Sequence, residues 1–90
     1  MDDDTALSQL EGLAEKLGIP IRYENIVDDL TGMGGLCRIE GKYVLIIHSK
    51  ATVKEKIQIM IEALRRFDLG DIYLKPALRK MLDGYEKLFS

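Results

Sequence analysis

The stretch MGGLCRIEGKYVLIIHSK, Met33 to Lys50, holds the chain's only cysteine, within the first of two strand-like runs, and its only histidine, just after the second. Leu36–Ile39 and Lys42–Ile47, the second rich in β-branched and aromatic residues, are separated by Glu40-Gly41, which predicts a β-hairpin. Gly41 supplies a positive φ angle that few other residues tolerate. A two-residue loop sets Ile39 opposite Lys42, Cys37 opposite Val44 and Gly35 opposite Ile46. His48 then lies four residues beyond the partner of Cys37, roughly 13 Å away at ~3.3 Å per residue. A turn with a one-residue bulge sets Cys37 opposite Tyr43 and moves His48 further off. Neither register brings thiol and imidazole within the hydrogen-bond reach that nucleophilic catalysis needs. Cys37 reads as a small buried hydrophobe, and His48 as a solvated or hydrogen-bonded side chain at a strand end.

Working outward, Ile19, Ile21 and Tyr23 alternate with Pro20, Arg22 and Glu24, the period of a half-buried strand. Pro20 cannot donate to a ladder, so it belongs at the strand's start or on an edge. Before it, Leu7, Leu10, Leu13, Ala14 and Leu17 recur at helical spacing. Asp2, Asp3 and Asp4 suit that helix's N-terminus, and Gly18 suits its left-handed end. After the hairpin, Thr52 and Glu55 form a capping box, and the helix it opens is expected to run from Val53 to Phe67. Its core face is Val53, Ile57, Met60, Ile61, Leu64 and Phe67. Pro76 fits the first turn of a last helix. The expected fold is α+β with the order α-β-β-β-α-α: a three-stranded, mainly antiparallel sheet with helices packed on one face, in one domain over residues 1–90.

The rest of the chain carries no recognisable chemistry. One Cys and one His do not make a zinc site, which takes three or four ligands at paired spacings. The glycines of TGMGG lead into a strand, whereas phosphate loops lead into a helix; Gly34 and Gly35 instead imply a sharp bend or a close backbone approach. Asp28 and Asp29 lack the alternating spacing of a calcium loop. No catalytic residue, cofactor or metal is expected, and the chain reads as a non-enzyme. The N-terminal MDDDTAL lacks the apolar core of a signal peptide, and the apolar run Tyr43–Ile47 is too short to span a bilayer. A single cysteine excludes an internal disulfide framework, so a reduced cytoplasm is the expected compartment.

Binding surfaces remain. The core arc of the second helix spans roughly 160° of the helical wheel. Ile59 falls outside it, beside Glu55 and Arg66, with Ala63 on its border. An apolar side chain there needs a cover, either the last helix or a partner, and small domains often recover lost core by associating. Ile59, Ala63 and Arg66, with Met33 in the preceding loop, are therefore the expected protein interface, and a homodimer is the expected assembly. Charge is uneven: residues 1–31 hold eight acids and two bases, residues 32–90 seven acids and eleven bases. Lys50, Lys54 and Lys56 surround a helix start and form an alternative, nucleic-acid-binding set, but a pI near 5.3 weighs against a dedicated nucleic-acid binder.

Three resemblances bear on this. The span from LAEKLGIPIRYENI to HSKATVKEKIQIMIEAL resembles the layout of double-stranded-RNA-binding domains, which implies that Lys50, Lys54 and Lys56 contact phosphate. LGI followed by a Gly-Gly turn, a strand and a helix resembles repressor-cleaving zinc metallopeptidases. Here EKIQIMIEALRRF stands where their catalytic helix would be and carries no ligand, so that resemblance implies a metal-free, catalytically dead relative. The GGLCR-x-x-GK hairpin, with EKI and YL-x-P downstream, also resembles small uncharacterised bacterial α+β proteins. The first expectation is a protein-binding or self-associating module.

Overall fold

A computed structural model of the chain describes residues 2–25, 34–70 and 72–89, the last six of these by backbone alone. Three helices and three strands follow in the expected order: α1 (Asp3–Lys16), β1 (Ile21–Glu24), β2 (Gly34–Ile39), β3 (Lys42–His48), α2 (Val53–Leu64) and α3 (Pro76–Phe89). The fold is α+β, as the sequence predicts. Asp28, Asp29 and Met33 lie outside the described residues.

Local chemistry accounts for the helix ends. The Asp2 carboxylate accepts the Thr5 amide proton at 2.8 Å and caps α1. At the other end Gly18 takes φ +75°, its N–H bonding to Glu15 O while that of Ile19 bonds to Ala14 O. This pair of bonds is a Schellman closure, and it drops the buried Ile19 against the helix it has just left. The capping box of α2 is fully formed: Thr52 Oγ1 accepts from Glu55 N–H at 3.2 Å, and Glu55 Oε1 accepts from Thr52 N–H at 2.9 Å. The far end departs from expectation, because α2 stops at Leu64 instead of Phe67. The amides of Arg66 and Phe67 bond three residues back, to Ala63 and Leu64, which tightens the last turn. Phe67 then meets Tyr43 edge-on, with ring centres 5.3 Å apart.

The sheet order is β1-β3-β2, so β3 is central. β2 and β3 pair antiparallel from Gly34↔Ile47 to Ile39↔Lys42, and β1 runs parallel to β3 from Ile21↔Leu45 to Glu24↔His48. Six antiparallel pairs against four parallel ones make the sheet mixed but mostly antiparallel. The hairpin takes the two-residue register, with Cys37 opposite Val44. Glu40 (φ 53°) and Gly41 (φ 80°) are both left-handed, the signature of a type I′ turn, whose twist matches that of the strands.

Leu45 and Ile47 of β3, Leu10 of α1, and Met60 and Leu64 of α2 are completely buried and form the centre of the core. They fix which sheet face the helices cover. α2 lies against β2 and β3, α1 packs along α2, and α3 packs chiefly on α1. Leu36, Tyr43 and Tyr23 share the helix-covered face with Leu45 and Ile47 by register. The other face carries Cys37, Ile39, Val44 and Ile46 with Arg22, Glu24 and His48. Among the described residues, no helix is long and apolar enough to cross a membrane.

Candidate interaction site between β2 and α2

Three of the four residues expected at an interface meet in one place. A cleft of about 200 Å³ opens between the outer edge of β2 and the C-terminal half of α2. Gly34, Gly35 and Leu36 form one wall; Ile59, Glu62, Ala63 and Arg66 form the other. Ala63 is buried, Ile59 is half-buried against the core, and Glu62 and Arg66 are exposed at the rim. The fourth residue, Met33, precedes Gly34 and lies outside the described residues. Ile59 is apolar because it abuts the start of β2, a contact that a helical wheel cannot show.

Gly34 explains how β2 starts so close to β3. Its φ is +140°, and a Cβ there would stand 2.2 Å from the Ile46 carbonyl oxygen. Only glycine fits, so the close-approach reading of this position holds. A Cβ on Gly35 would meet nothing within 4 Å. Neither glycine fronts a helix N-terminus.

The hairpin geometry also sets which main-chain groups of β2 face outward. A two-residue I′ loop closes on a hydrogen-bonded pair, here Ile39 and Lys42, and hydrogen-bonded pairs alternate along an antiparallel ladder. Ile39, Cys37 and Gly35 therefore point their N–H and C=O groups at β3. Arg38, Leu36 and Gly34 point theirs away, into the free edge beside the cleft. Among the described residues, no strand pairs with that edge.

Cys37 and His48 stay apart. Both lie on the helix-free face, but the neighbour of Cys37 on β3 is Val44, whereas His48 sits beside Glu24 of β1. Cys37 is half-buried rather than buried, since among the described residues no helix packs on that face, and its Sγ makes a long 3.8 Å contact to the Gly35 carbonyl. His48 Nδ1 accepts the Lys50 amide proton at 3.0 Å, a local bond that orients the ring at the strand end. Among the described residues, no three His, Cys, Asp or Glu side chains converge on a metal position.

The alternative set is more scattered. Lys50 and Lys54 are exposed, while Lys56 folds back so that its ammonium sits 5.1 Å from the centre of the Tyr23 ring. Burial, with a smaller contribution from the Glu11 charge, pushes the Tyr23 hydroxyl up from its usual pKa. The capping carboxylate of Glu55 already occupies the α2 N-terminus, where a phosphate would dock. Its hydrogen bonds from Thr52, through backbone first and side chain second, hold its pKa below the usual carboxylate value.

Elsewhere, a cleft of about 210 Å³ lies between α1 and the approach to α3, lined by Leu13, Lys16, Tyr73, Leu74 and Leu78 with Gln9 and others. It brings together no group of opposite charges and no strand edge. Compared with known protein families, curated proteins and solved structures, the chain has no significant match.

Proposed function

We propose that this chain is a non-enzymatic, cytoplasmic protein-binding module, and that the protein it binds through the β2–α2 cleft is a second copy of itself. The observation that carries this reading is the convergence of Ile59, Ala63 and Arg66 with a strand edge that no other described strand pairs, in one concave surface. An exposed edge is a template for another chain's strand, and a helix beside it supplies apolar and charged side-chain contacts. Binding through the lysines is less well supported. Lys56 is drawn onto Tyr23, and Glu55 places negative charge at the helix start between Lys54 and Lys56.

Sedimentation equilibrium over a range of concentrations tests the proposal. Wild type is expected to rise from the monomer mass of 10.2 kDa toward twice that value. Ile59→Asp is expected to remain a folded monomer, with folding checked by far-ultraviolet circular dichroism. A wild type that stays monomeric up to millimolar concentration overturns the proposal.

A further inference from the structure

We infer that two copies of the chain join by antiparallel pairing of β2 with β2 about a two-fold axis at Leu36, locked by Arg38 of each copy against Glu62 of the other. This rests on the self-association reading and specifies its geometry.

The register follows from the outward-facing groups. Gly34, Leu36 and Arg38 are the residues of β2 whose main-chain donors and acceptors point away from β3. An antiparallel partner satisfies all three only if Leu36 faces its own counterpart, with Gly34 opposite Arg38 and Arg38 opposite Gly34. Any other register leaves at least one of the three outside the ladder. A pairing in which the same strand meets itself is isologous and closes at two copies. It joins two three-stranded sheets into one of six strands and removes both β2 edges.

Side chains on the helix-covered face support the same register. Arg38 is exposed, and its guanidinium carbon lies 5.2 Å from the centre of the Tyr43 ring, which places the side chain on that face. Across the axis it meets Gly34 of the other copy, which has no side chain to obstruct it. Gly34 lines the cleft that also holds Glu62. The cation therefore arrives at a cleft with a carboxylate on its rim, and the two-fold repeats the contact. Gly34 is fixed as glycine by its approach to Ile46 within the chain; the bare strip this leaves is what admits Arg38. The charges on the cleft rim complement each other too, because the two-fold sets α2 antiparallel to its copy, with Glu62 on one side and Arg66, just beyond α2, on the other.

Backbone amide exchange, read residue by residue at low and high protein concentration, tests the pairing. The amides of Leu36 and Arg38 are expected to slow by roughly tenfold or more as the dimer forms, while those of Cys37 and Gly35, already bonded to β3, do not change. Arg38→Glu and Glu62→Arg, both at exposed positions, should each weaken the dimer by roughly tenfold, and the double exchange should restore it. A dimer in which Leu36 and Arg38 gain no protection, or in which the double exchange fails to rescue, overturns this geometry and leaves self-association standing. A wild type that never dimerises overturns both. Protection of these amides only upon binding an unrelated peptide also overturns the second copy as the occupant.

Discussion

The two edges of the sheet differ in kind. β1 offers four residues, begins just after Pro20, and carries the Arg22–Glu24 ion pair at 2.9 Å. Its register, with Leu45 N–H bonded to Pro20 O and Ser49 N–H to Glu24 O, turns Arg22 and Glu24 inward to β3 and leaves the main chains of Ile21 and Tyr23 facing out. Beside that edge stand Glu11 and Glu15 of α1. β2 offers six residues with neither proline nor acid, and its outer edge, which no described strand pairs, borders Ile59, Glu62 and Ala63 of α2 and Arg66 just beyond it. Shortness, proline and charge are the usual devices that keep a strand edge from pairing. β1 has all three, while β2 has a single arginine, so among the described residues β1 is the guarded edge and β2 the unguarded one.

The largest expected effect comes from removing what builds the open edge. Gly34→Ala places a Cβ against the Ile46 carbonyl at a φ that L-residues rarely adopt, so the start of β2 must peel from β3. A loss of about 3 kcal/mol or more is expected, read from the urea midpoint, because strain and a backbone clash add. A change below about 0.5 kcal/mol, the range of a neutral surface substitution, would mean the approach is not rigid. Next in size is a matched pair of proline substitutions, Arg38→Pro and Tyr23→Pro. Both remove an outward N–H and spare the ladder to β3. If β2 is the working edge, the first raises the dimer dissociation constant by roughly tenfold or more, about 1.4 kcal/mol, and the second leaves it unchanged. Equal effects would erase the distinction between the edges. Smaller again is Thr52→Ala, which opens the capping box and should cost about 1 kcal/mol of stability. The cleft uses the far half of α2 and Arg66 in the turn after it, so the dimer constant should not move; a parallel loss would show that the cleft depends on the whole helix.

Most of this fold was legible in the sequence because it is specified locally. Caps at Thr52 and Gly18, the helical stripe from Leu7 to Leu17, the Glu40-Gly41 turn and Pro76 each act over three or four residues. The strand order was not legible, since pairing β1 with β3 across the intervening β2 is a long-range choice that periodicity does not encode. The one available signal was the unbroken apolar run Tyr43–Ile47, which suits a central strand with neighbours on both sides. The site was half legible. The helical wheel singled out Ile59 as lying outside the core arc, beside Arg66 and with Ala63 on the border. Glu62, Gly34, Leu36 and Arg38 did not emerge from it, because their proposed role depends on which strand borders α2. The early end of α2 was missed for a similar reason: Phe67 continues the helical period in sequence, but its packing on Tyr43 belongs to tertiary structure.

The smallest expected effect is on the two helix starts, and its sign follows from their carboxylates. Hydrogen bonds from Thr5, side chain first and then backbone, hold the Asp2 pKa below its ordinary value, as those from Thr52 do for Glu55. A carboxyl group whose folded pKa is depressed contributes stability that is present above the unfolded value, near 4, and is lost as pH falls through the folded value. Acidification should therefore fray α1 at Thr5 and α2 at Glu55, with faster amide exchange at both than the intrinsic pH dependence accounts for. Both carboxylates lie at the surface, so the change is local and screened, and salt should diminish it. The two caps sit on different sides of the comparison, since α1 flanks the guarded β1 edge and α2 walls the open one. None of Asp2, Thr5, Thr52 and Glu55 lines the cleft. Loss of both caps with no gain in exchange at Leu36 or Arg38 is the expected outcome, and it would separate helix fraying from the opening of β2. If those two amides instead exchange faster in step with the caps while the protein remains dimeric by mass, then the β2 edge is held by the helices rather than by a partner strand, and the contrast between the edges rests on α2 alone.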